Sequence, residues 1–330
     1  MSNREAVDYR EYQNKYAILW GNEYNGSGHD TFRMVRRMPE HPLAEVFGFP
    51  VDNFSDRAQR YRKNRLCPYN NRVPNCTKDK ANDPLGVCSI FSSEGVPVIT
   101  CPVRFREDWI IAEDAATFLF PPGAQWTSLG EVRLNDAGGE SAGNIDIVLV
   151  TYDDRGVVMD FGSLEVQAVY VSGNIREPFG HYMQDPASRF DMDWRHRRGY
   201  PRADYLSSSR KRLVPQLIYK GGILRHWGKK QVVALHSEFF RTLPPLSVVA
   251  KEDADMAWLV YDLVADPDQN QYHLRLSQTV YTLFKPALDQ ILTSKPGPID
   301  RFMDLLQEKL DKKLENDENP PDAPTLADLL

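Results

Sequence analysis

The sequence has no long hydrophobic run and lacks several common signature motifs of enzymes. None of its apolar stretches approaches the roughly 20 residues needed to span a bilayer. The N-terminal segment is charged where a signal peptide would need an apolar stretch, so we expect a cytosolic protein with no membrane partner. There is no HExxH pair, Walker-type loop, GxSxG motif or dinucleotide-binding fingerprint, which disfavours several classes of hydrolases and nucleotide-dependent enzymes.

Cysteine is scarce and confined to one short region. The 330 residues include four cysteines within a span of 35: Cys67, Cys76, Cys88 and Cys101. In a reducing cytosol clustered thiols are more often metal ligands than disulfide partners, and four thiolates suit Zn²⁺ or a single iron. Two disulfides or free thiols remain the alternative, because the spacing lacks short CxxC pairs. A nucleophilic cysteine is disfavoured, since every cysteine belongs to this cluster.

The small net charge of −6 hides a segregated distribution. Asp191 to Lys230 contains 11 Lys or Arg against 3 Asp, whereas residues 301 to 330 contain 8 acidic and 4 basic groups. Segregation of this kind can produce a positive surface on a negative protein, although solvated faces explain single charged runs equally well. The candidate DNA-binding residues are Arg62, Lys63, Arg65, Arg104, Arg197, Arg198, Arg202, Arg210, Lys211 and Arg212.

Two strands joined by a polar turn are predicted in the middle of the chain. Apolar and β-branched residues dominate Asn144 to Tyr152 and Gly162 to Val171, and Asp153 to Gly156 has the composition of a turn. Alternate side chains of a strand share a face, so Glu165 and Gln167 point the same way.

Asp146 on the first of these strands suggests a metal site. Two carboxylates on neighbouring strands repel each other unless a cation lies between them, and hard oxygen ligands suit Mg²⁺. Asp146, Glu165 and Gln167 therefore form a candidate site of a metal-dependent hydrolase, with Glu131 as a possible third carboxylate. The alternative is that Glu165 and Gln167 lie on the solvated face of an edge strand.

Five other segments are assigned to helices or strands. Ala257 to Ala265 and Gln271 to Leu276 predict a hairpin, and Ile299 to Leu314 predicts an amphipathic helix. Thr279 to Thr293 is predicted to be helical despite its proline, and Trp109 to Ile111 is predicted to be a strand.

The four-cysteine region, followed by the two strands with Asp146, Glu165 and Gln167, makes the sequence resemble the NotI family of type II restriction endonucleases. Ile145-Asp146 together with Ser163 to Gln167 looks like that family's variant of the PD-(D/E)XK nuclease core, in which Gln replaces the usual Lys. Four cysteine segments look like the family's iron-binding DNA-contact module: Leu66 to Tyr69, Asn75 to Lys78, Gly86 to Cys88 and Ile99 to Pro102.

The resemblance implies an α/β (α+β) fold, with a mixed central sheet flanked by helices and a small four-cysteine metal module. It implies that Asp146 and Glu165 bind Mg²⁺, that Gln167 positions the attacking water, and that Glu131 is an upstream acid. It favours iron in the cysteine site, although four thiolates alone do not distinguish Fe from Zn. Four regions are expected: an N-terminal region with a possible DNA-contact arm (1–56), the cysteine module (57–106), the nuclease core (107–315) and an acidic, disordered tail (316–330).

The implied activity is hydrolysis of a phosphodiester by metal-activated water, with in-line displacement and a 5′-phosphate product. The implied substrate is double-stranded DNA at a GC-rich palindrome, cut by a homodimer in the bacterial or archaeal cytoplasm. A cognate DNA methyltransferase would be a functional rather than a physical partner. The competing hypotheses are a non-catalytic DNA-binding protein built on the four cysteines and a nuclease of DNA repair or RNA processing.

Overall fold

The computed structural model describes residues 40–80, 82–293 and 296–315. The region 1–56 is therefore described only from residue 40 onward, and the tail predicted over 316–330 lies outside the described residues. No helix in these ranges is long and apolar enough to cross a membrane.

The cysteines lie in and around a small antiparallel sheet. Its strands have the order β2-β1-β5-β6, and a separate pair is formed by β3 and β4. The strands are β1 (Leu43–Val46), β2 (Phe49–Pro50), β3 (Asp79–Lys80), β4 (Asp83–Pro84), β5 (Val87–Phe91) and β6 (Pro97–Ile99). Because β1 pairs with β5, residues from the N-terminal side of position 57 share a sheet with Cys88.

A six-stranded mixed sheet forms the centre of the protein, in the order β14-β13-β12-β9-β8-β7. β12 is parallel to both β9 and β13, and the outer pairs are antiparallel. Its strands are β7 (Trp126–Asn135), β8 (Ser141–Tyr152), β9 (Val158–Gln167), β12 (Gln231–His236), β13 (Met256–Asp266) and β14 (Gln271–Thr282), and β10 (Tyr170–Ser172) pairs separately with β11 (Arg202–Asp204).

Helices flank this sheet, and the predicted mixed α/β architecture is confirmed. The helices are α1 (Asp56–Lys63), α2 (Ile110–Leu119), α3 (Arg176–Gln184), α4 (Pro186–Arg189), α5 (Tyr205–His226), α6 (Ser237–Phe240), α7 (Phe284–Leu292) and α8 (Ile299–Glu315). A 3₁₀ segment, Pro102–Trp109, precedes α2. α5 is a continuous helical run in which π-helical turns at Ser209–Leu213 and Leu217–Gly221 alternate with α-helical turns.

The centre of the sheet is buried on both faces, as its apolar strands require. Val232 and Ala234 of β12 pack in the cluster that includes α2, whereas Val233 and Leu235 pack on the opposite side with α5 and α7. α2 lies so close to β9 that a Cβ built on Gly162 would be 2.5 Å from the Leu119 side chain. Glycine is therefore required there, and β9 is fixed between two layers of helices.

A buried ionic cluster links the small sheet to the central one. Arg104 is fully buried, and its Nε lies 3.0 Å from Glu45 Oε1 of β1 while its Nη1 lies 2.7 Å from Glu107 Oε2. Its Nη2 donates to the carbonyl oxygen of Tyr272 in β14 at 2.8 Å, and its guanidinium lies 4.2 Å from the ring centroid of Tyr69. Each donor group thus has a partner in a different part of the fold.

The predicted strand pairs are confirmed, although β9 runs Val158–Gln167 rather than from Gly162 to Val171, and two other predictions are wrong. β8 and β9 flank the turn at Asp153–Gly156, β13 and β14 form the hairpin, and α8 is the amphipathic helix. Trp109 to Ile111 is not a strand, because Trp109 has a left-handed φ of 57° and α2 begins at Ile110. Thr279 to Thr282 belongs to β14, so the helix predicted from Thr279 begins only at Phe284.

Candidate active site and cysteine region

The candidate active site lies where β8 and β9 separate. Their ladder extends from Tyr152 and Val158 to Ile147 and Leu164, and beyond that pair β9 continues to pair with β12. The Asp146 Oδ2 atom accepts a hydrogen bond from the backbone N–H of Val166 at 2.9 Å. The carboxylate thus takes the place of a ladder partner, which fixes Asp146 in the fork between the strands.

Glu165 is buried beside Asp146, with 6 % of its surface exposed. Burial, followed by the neighbouring Asp146 carboxylate, raises the pKa of Glu165 to about 7, although the Lys220 ammonium opposes this shift. Glu165 Oε2 lies 2.7 Å from Lys220 Nζ, whereas Oε1 has no hydrogen-bond partner among the described residues. A buried, unpaired carboxylate oxygen next to a second carboxylate fits a hard divalent cation.

Gln167 lies on the same side of β9 as Glu165 and is also buried, at 3 % exposure. Its Nε2 donates a hydrogen bond to Gln216 Oε1 of α5. The strand alternation that predicted a shared face for Glu165 and Gln167 is therefore observed, but this face is covered by α5 rather than open to solvent.

α5 makes three successive contacts along the end of β9 and the start of β10. Ser208 Oγ accepts a hydrogen bond from the Tyr170 backbone N–H at 2.8 Å, Gln216 contacts Gln167, and Lys220 contacts Glu165. The helix thus runs antiparallel to β9 across the site. Two of these side chains, Gln216 and Lys220, are absent from the prediction made from sequence.

A signal for Lys220 is present in the sequence. Leu213, Leu217 and Leu224 are all buried, and Lys220 shares their helical spacing. A lysine in the apolar stripe of a helix requires a buried acidic partner, because an unpaired buried ammonium is strongly unfavourable. Pro215 interrupts the regular hydrogen bonding of α5 beside its π-helical turns, so simple α-helical periodicity describes the segment only approximately.

Glu131 is less closely connected to the site. Gly130 and Val132 pair with Ile147 and Ile145, so Glu131 lies beside Asp146 in the ladder. Its φ is 56°, however, and its largely exposed side chain lies 3.4 Å from Arg72 Nη1. Within the described ranges, no three His, Cys, Asp or Glu side chains are grouped so that they could hold a metal ion. The structure thus places Asp146 beside the segment of β9 that carries Glu165 and Gln167, whereas the Glu131 side chain pairs with Arg72.

Two of the ten candidate DNA-binding residues are unsuitable for that role. Arg104 belongs to the buried ionic cluster, and Arg62 is buried with hydrogen bonds to the carbonyl oxygens of Pro50 and Asn53. Their guanidinium groups stabilise the fold, and this corrects the prediction. The sequence suggested surface positions because Arg62 lies in a basic run and Arg104 lies close to Arg106, and local charge does not reveal burial.

The other eight candidates are exposed to solvent. They are Lys63, Arg65, Arg197, Arg198, Arg202, Arg210, Lys211 and Arg212. Arg65 pairs with Asp83 at 3.0 Å, and the Arg212 guanidinium lies 5.2 Å from the ring centroid of Tyr170, just beyond β9. The exposed cations Arg210 to Arg212 belong to the same helix, α5, whose next turns reach Gln167 and Glu165.

The four cysteines occupy two neighbouring hairpin-like segments. The Leu66–Asn75 bridge brings Cys67 near Cys76, and the Cys101 backbone N–H donates to the Cys88 carbonyl oxygen at 3.2 Å. All four are free thiols. Burial, with smaller contributions from the nearby Cys101 and Cys76, raises the pKa of Cys67 to about 11. The thiols are thus near one another, but they are not arranged as a metal-binding group in the described part of the chain.

The mixed central sheet with helices on both faces is consistent with the core of a nuclease. The chain belongs to the NotI restriction endonuclease family, because the family model described as restriction endonuclease NotI matches residues 52–274, more than half of the sequence. A comparison with curated proteins finds no match. Family membership supports a restriction endonuclease that binds double-stranded DNA and cleaves it at a specific site. The matched residues include the cysteine region, β7 to β9 and α5.

Proposed function

We propose that this protein is a Mg²⁺-dependent type II restriction endonuclease whose active site is the fork between β8 and β9. The observation that supports this proposal best is the pair of neighbouring carboxylates, Asp146 and Glu165, with Glu165 Oε1 unpaired within the described residues. These two side chains would hold the ion, and the ion would supply positive charge that stabilises the phosphoryl group during in-line displacement.

The protein's own residues have distinct roles in this proposal. The Val166 N–H fixes Asp146 through Oδ2, so the orientation of that carboxylate is set before any ligand binds. Gln167 is assigned to orient the attacking water. To do so, its side-chain amide would either break its hydrogen bond to Gln216 or use its second N–H for the water. A neutral amide can orient a water by hydrogen bonding but supplies no net charge. Glu131 is assigned only an outer role, because Arg72 pairs with its side chain.

Cleavage of supercoiled plasmid DNA tests this proposal. The wild-type protein is expected to produce discrete linear fragments in Mg²⁺, and Glu165→Ala is expected to abolish them because a ligand of the ion is lost. Glu113→Ala is the matched control, since Glu113 is an exposed acid on α2 and its removal leaves the fork intact. Equal cleavage by wild type and Glu165→Ala would contradict the proposal.

The same assay distinguishes the competing functions. DNA binding without cleavage in both Mg²⁺ and Mn²⁺ would indicate a non-catalytic DNA-binding protein. Cleavage restricted to single-stranded or structured substrates, without a fixed site in duplex DNA, would indicate a nuclease of repair or RNA processing. A GC-rich palindrome is the proposed site in duplex DNA, and the exposed arginines are compatible with recognition of guanine in the major groove.

A homodimer is the proposed assembly, because a two-fold symmetric protein matches a palindromic site. α8 offers a surface for it: none of its side chains is buried, and its apolar stripe is exposed. The stripe consists of Ile299, Phe302, Met303, Leu306, Leu310 and Leu314. Residues 299–308 have a net charge of −2 and residues 309–315 a net charge of +1, so antiparallel packing of α8 against a second copy sets opposite charges together.

A structural Fe or Zn ion held by Cys67, Cys76, Cys88 and Cys101 is part of the proposal. The four thiols are near one another and none is in a disulfide, but they are not grouped as a metal site among the described residues, so the ion would have to draw them together. A cation would also stabilise thiolates whose pKa is otherwise raised by burial. Elemental analysis of the purified protein should find one such ion per chain and four thiols that become titratable on unfolding. Absence of metal, or thiols lost to disulfides, would contradict this part. The proposed location is the cytoplasm, with a cognate DNA methyltransferase as functional partner.

A further inference from the structure

Lys220 places a buried positive charge at the centre of the candidate active site. Only 4 % of its surface is exposed, and its Nζ donates to Glu165 Oε2 at 2.7 Å and to the Asn144 carbonyl oxygen at 2.8 Å. These two acceptors belong to the two strands that form the fork. The ammonium thus bridges β8 and β9 next to Asp146, although position 220 was not predicted to take part in the site.

The position of the ammonium is set by the packing of α5. Leu217 and Leu224, the buried neighbours of Lys220 along the helix, hold that face against the sheet. At the next residue, a Cβ built on Gly221 would be 2.5 Å from the Phe284 ring and 2.8 Å from Gln231 Oε1. The helix is therefore seated too closely for a larger residue, and the Lys220 stem has little room to move.

Because Gln167 is neutral, the Lys220 ammonium is the positive charge that this face of the site offers. Hydrolysis of a phosphodiester builds negative charge on the phosphoryl oxygens, and preorganised positive charge stabilises it most effectively in a buried site. Gln167 offers only an amide, which already donates to Gln216. On Glu165 itself the two oxygens differ, because Oε2 pairs with Lys220 while Oε1 lacks a hydrogen-bond partner in the described ranges.

We propose that Lys220 is a positioning residue of the nuclease site: it holds Glu165 through Oε2, presents Oε1 to the divalent ion, and provides the fixed positive charge that Gln167 does not. The inference rests on the proposed function, because it assigns Glu165 to the ion. It predicts that the ion and Lys220 share the carboxylate. The ion therefore does not displace the lysine, and removal of the ammonium impairs cleavage more than ion binding.

A crystal structure of the wild-type protein with Mn²⁺, located by anomalous scattering, tests the shared carboxylate without any variant. The expected result is an ion at Glu165 Oε1 and Asp146, with Lys220 Nζ still hydrogen-bonded to Oε2. An ion that displaces Lys220 from Glu165 would overturn this inference alone. The absence of an ion at both carboxylates would overturn the proposed function as well, so the two failures are distinguishable.

Lys220→Met separates ion binding from cleavage, because methionine preserves much of the apolar stem without the charge. Single-turnover cleavage at saturating Mg²⁺ is expected to fall on the order of 100-fold. Affinity for Mn²⁺, measured by calorimetry without DNA, should change far less than cleavage, because both carboxylates that would hold the ion remain. Lys230→Met is the control, as Lys230 packs on the Phe118 ring away from the fork. Wild-type cleavage by Lys220→Met would contradict the role, and if that variant does not fold, the Mn²⁺ structure still decides.

Discussion

Replacement of Arg104 by methionine should destabilise the protein strongly while leaving its surface charge almost unchanged. The substitution removes two ion pairs at 3.0 and 2.7 Å and one hydrogen bond to a carbonyl oxygen. Glu45 would then be a fully buried carboxylate whose remaining side-chain partner is the Ser89 hydroxyl at 2.7 Å. Removal of one member of a buried ion pair costs about 3–5 kcal/mol, because the other charge is left uncompensated.

Urea unfolding of Arg104→Met measures this cost, and thermal melting should show a fall on the order of 10 °C. Arg65→Met is the matched control: its ion pair with Asp83 is half exposed, so a change below about 1 kcal/mol is expected. Burial already raises the pKa of Glu45, and without Arg104 it rises further. Adding Glu45→Gln to Arg104→Met should therefore recover part of the loss. A destabilisation of Arg104→Met no larger than that of the control would refute the reasoning.

Two further predictions concern pH and assembly. Burial lowers the pKa of His236 to about 4, whereas an unfolded histidine titrates near 6.5. The neutral, buried His236 therefore contributes its full stability above pH 6.5. This contribution is lost as the pH falls toward 4, by roughly 3 kcal/mol in all. His236→Asn, which can still accept from the Glu238 N–H, should reduce this pH dependence in urea titrations, and an unchanged dependence would contradict the assignment. Leu306→Lys with Leu310→Lys should convert a dimer into monomers in sedimentation experiments, whereas a dimer that persists would exclude α8 as its interface.

The fork between β8 and β9 was predictable from sequence because its determinants are local. Alternation along each strand sets the side of the sheet on which Glu165 and Gln167 lie, and the Asp153–Gly156 turn sets the strands side by side. Strand alternation cannot predict which helix packs on that face of the sheet. The covering of Glu165 and Gln167 by Lys220 and Gln216 depends on a contact between segments some 50 residues apart.

The basic residues illustrate the same limit. Arg62 lies beside the exposed Lys63 in a basic run, and Arg104 lies close to Arg106, so composition treats both as ordinary surface cations. Their burial depends on tertiary partners, namely the Pro50 and Asn53 carbonyl oxygens for Arg62 and two carboxylates, Glu45 and Glu107, for Arg104. Likewise, the β-branched residues from Thr279 onward extend β14 because β13 provides a partner strand, which overrides the local helical pattern.

The most direct test of the nuclease proposal is to digest DNA of known sequence with the wild-type protein in Mg²⁺ and to map every fragment end. The account predicts that all ends fall at one short palindromic sequence and have 5′-phosphates, with no such ends after incubation with Glu165→Ala. Ends scattered without a common sequence, or an identical pattern from the Glu165 variant, would contradict it.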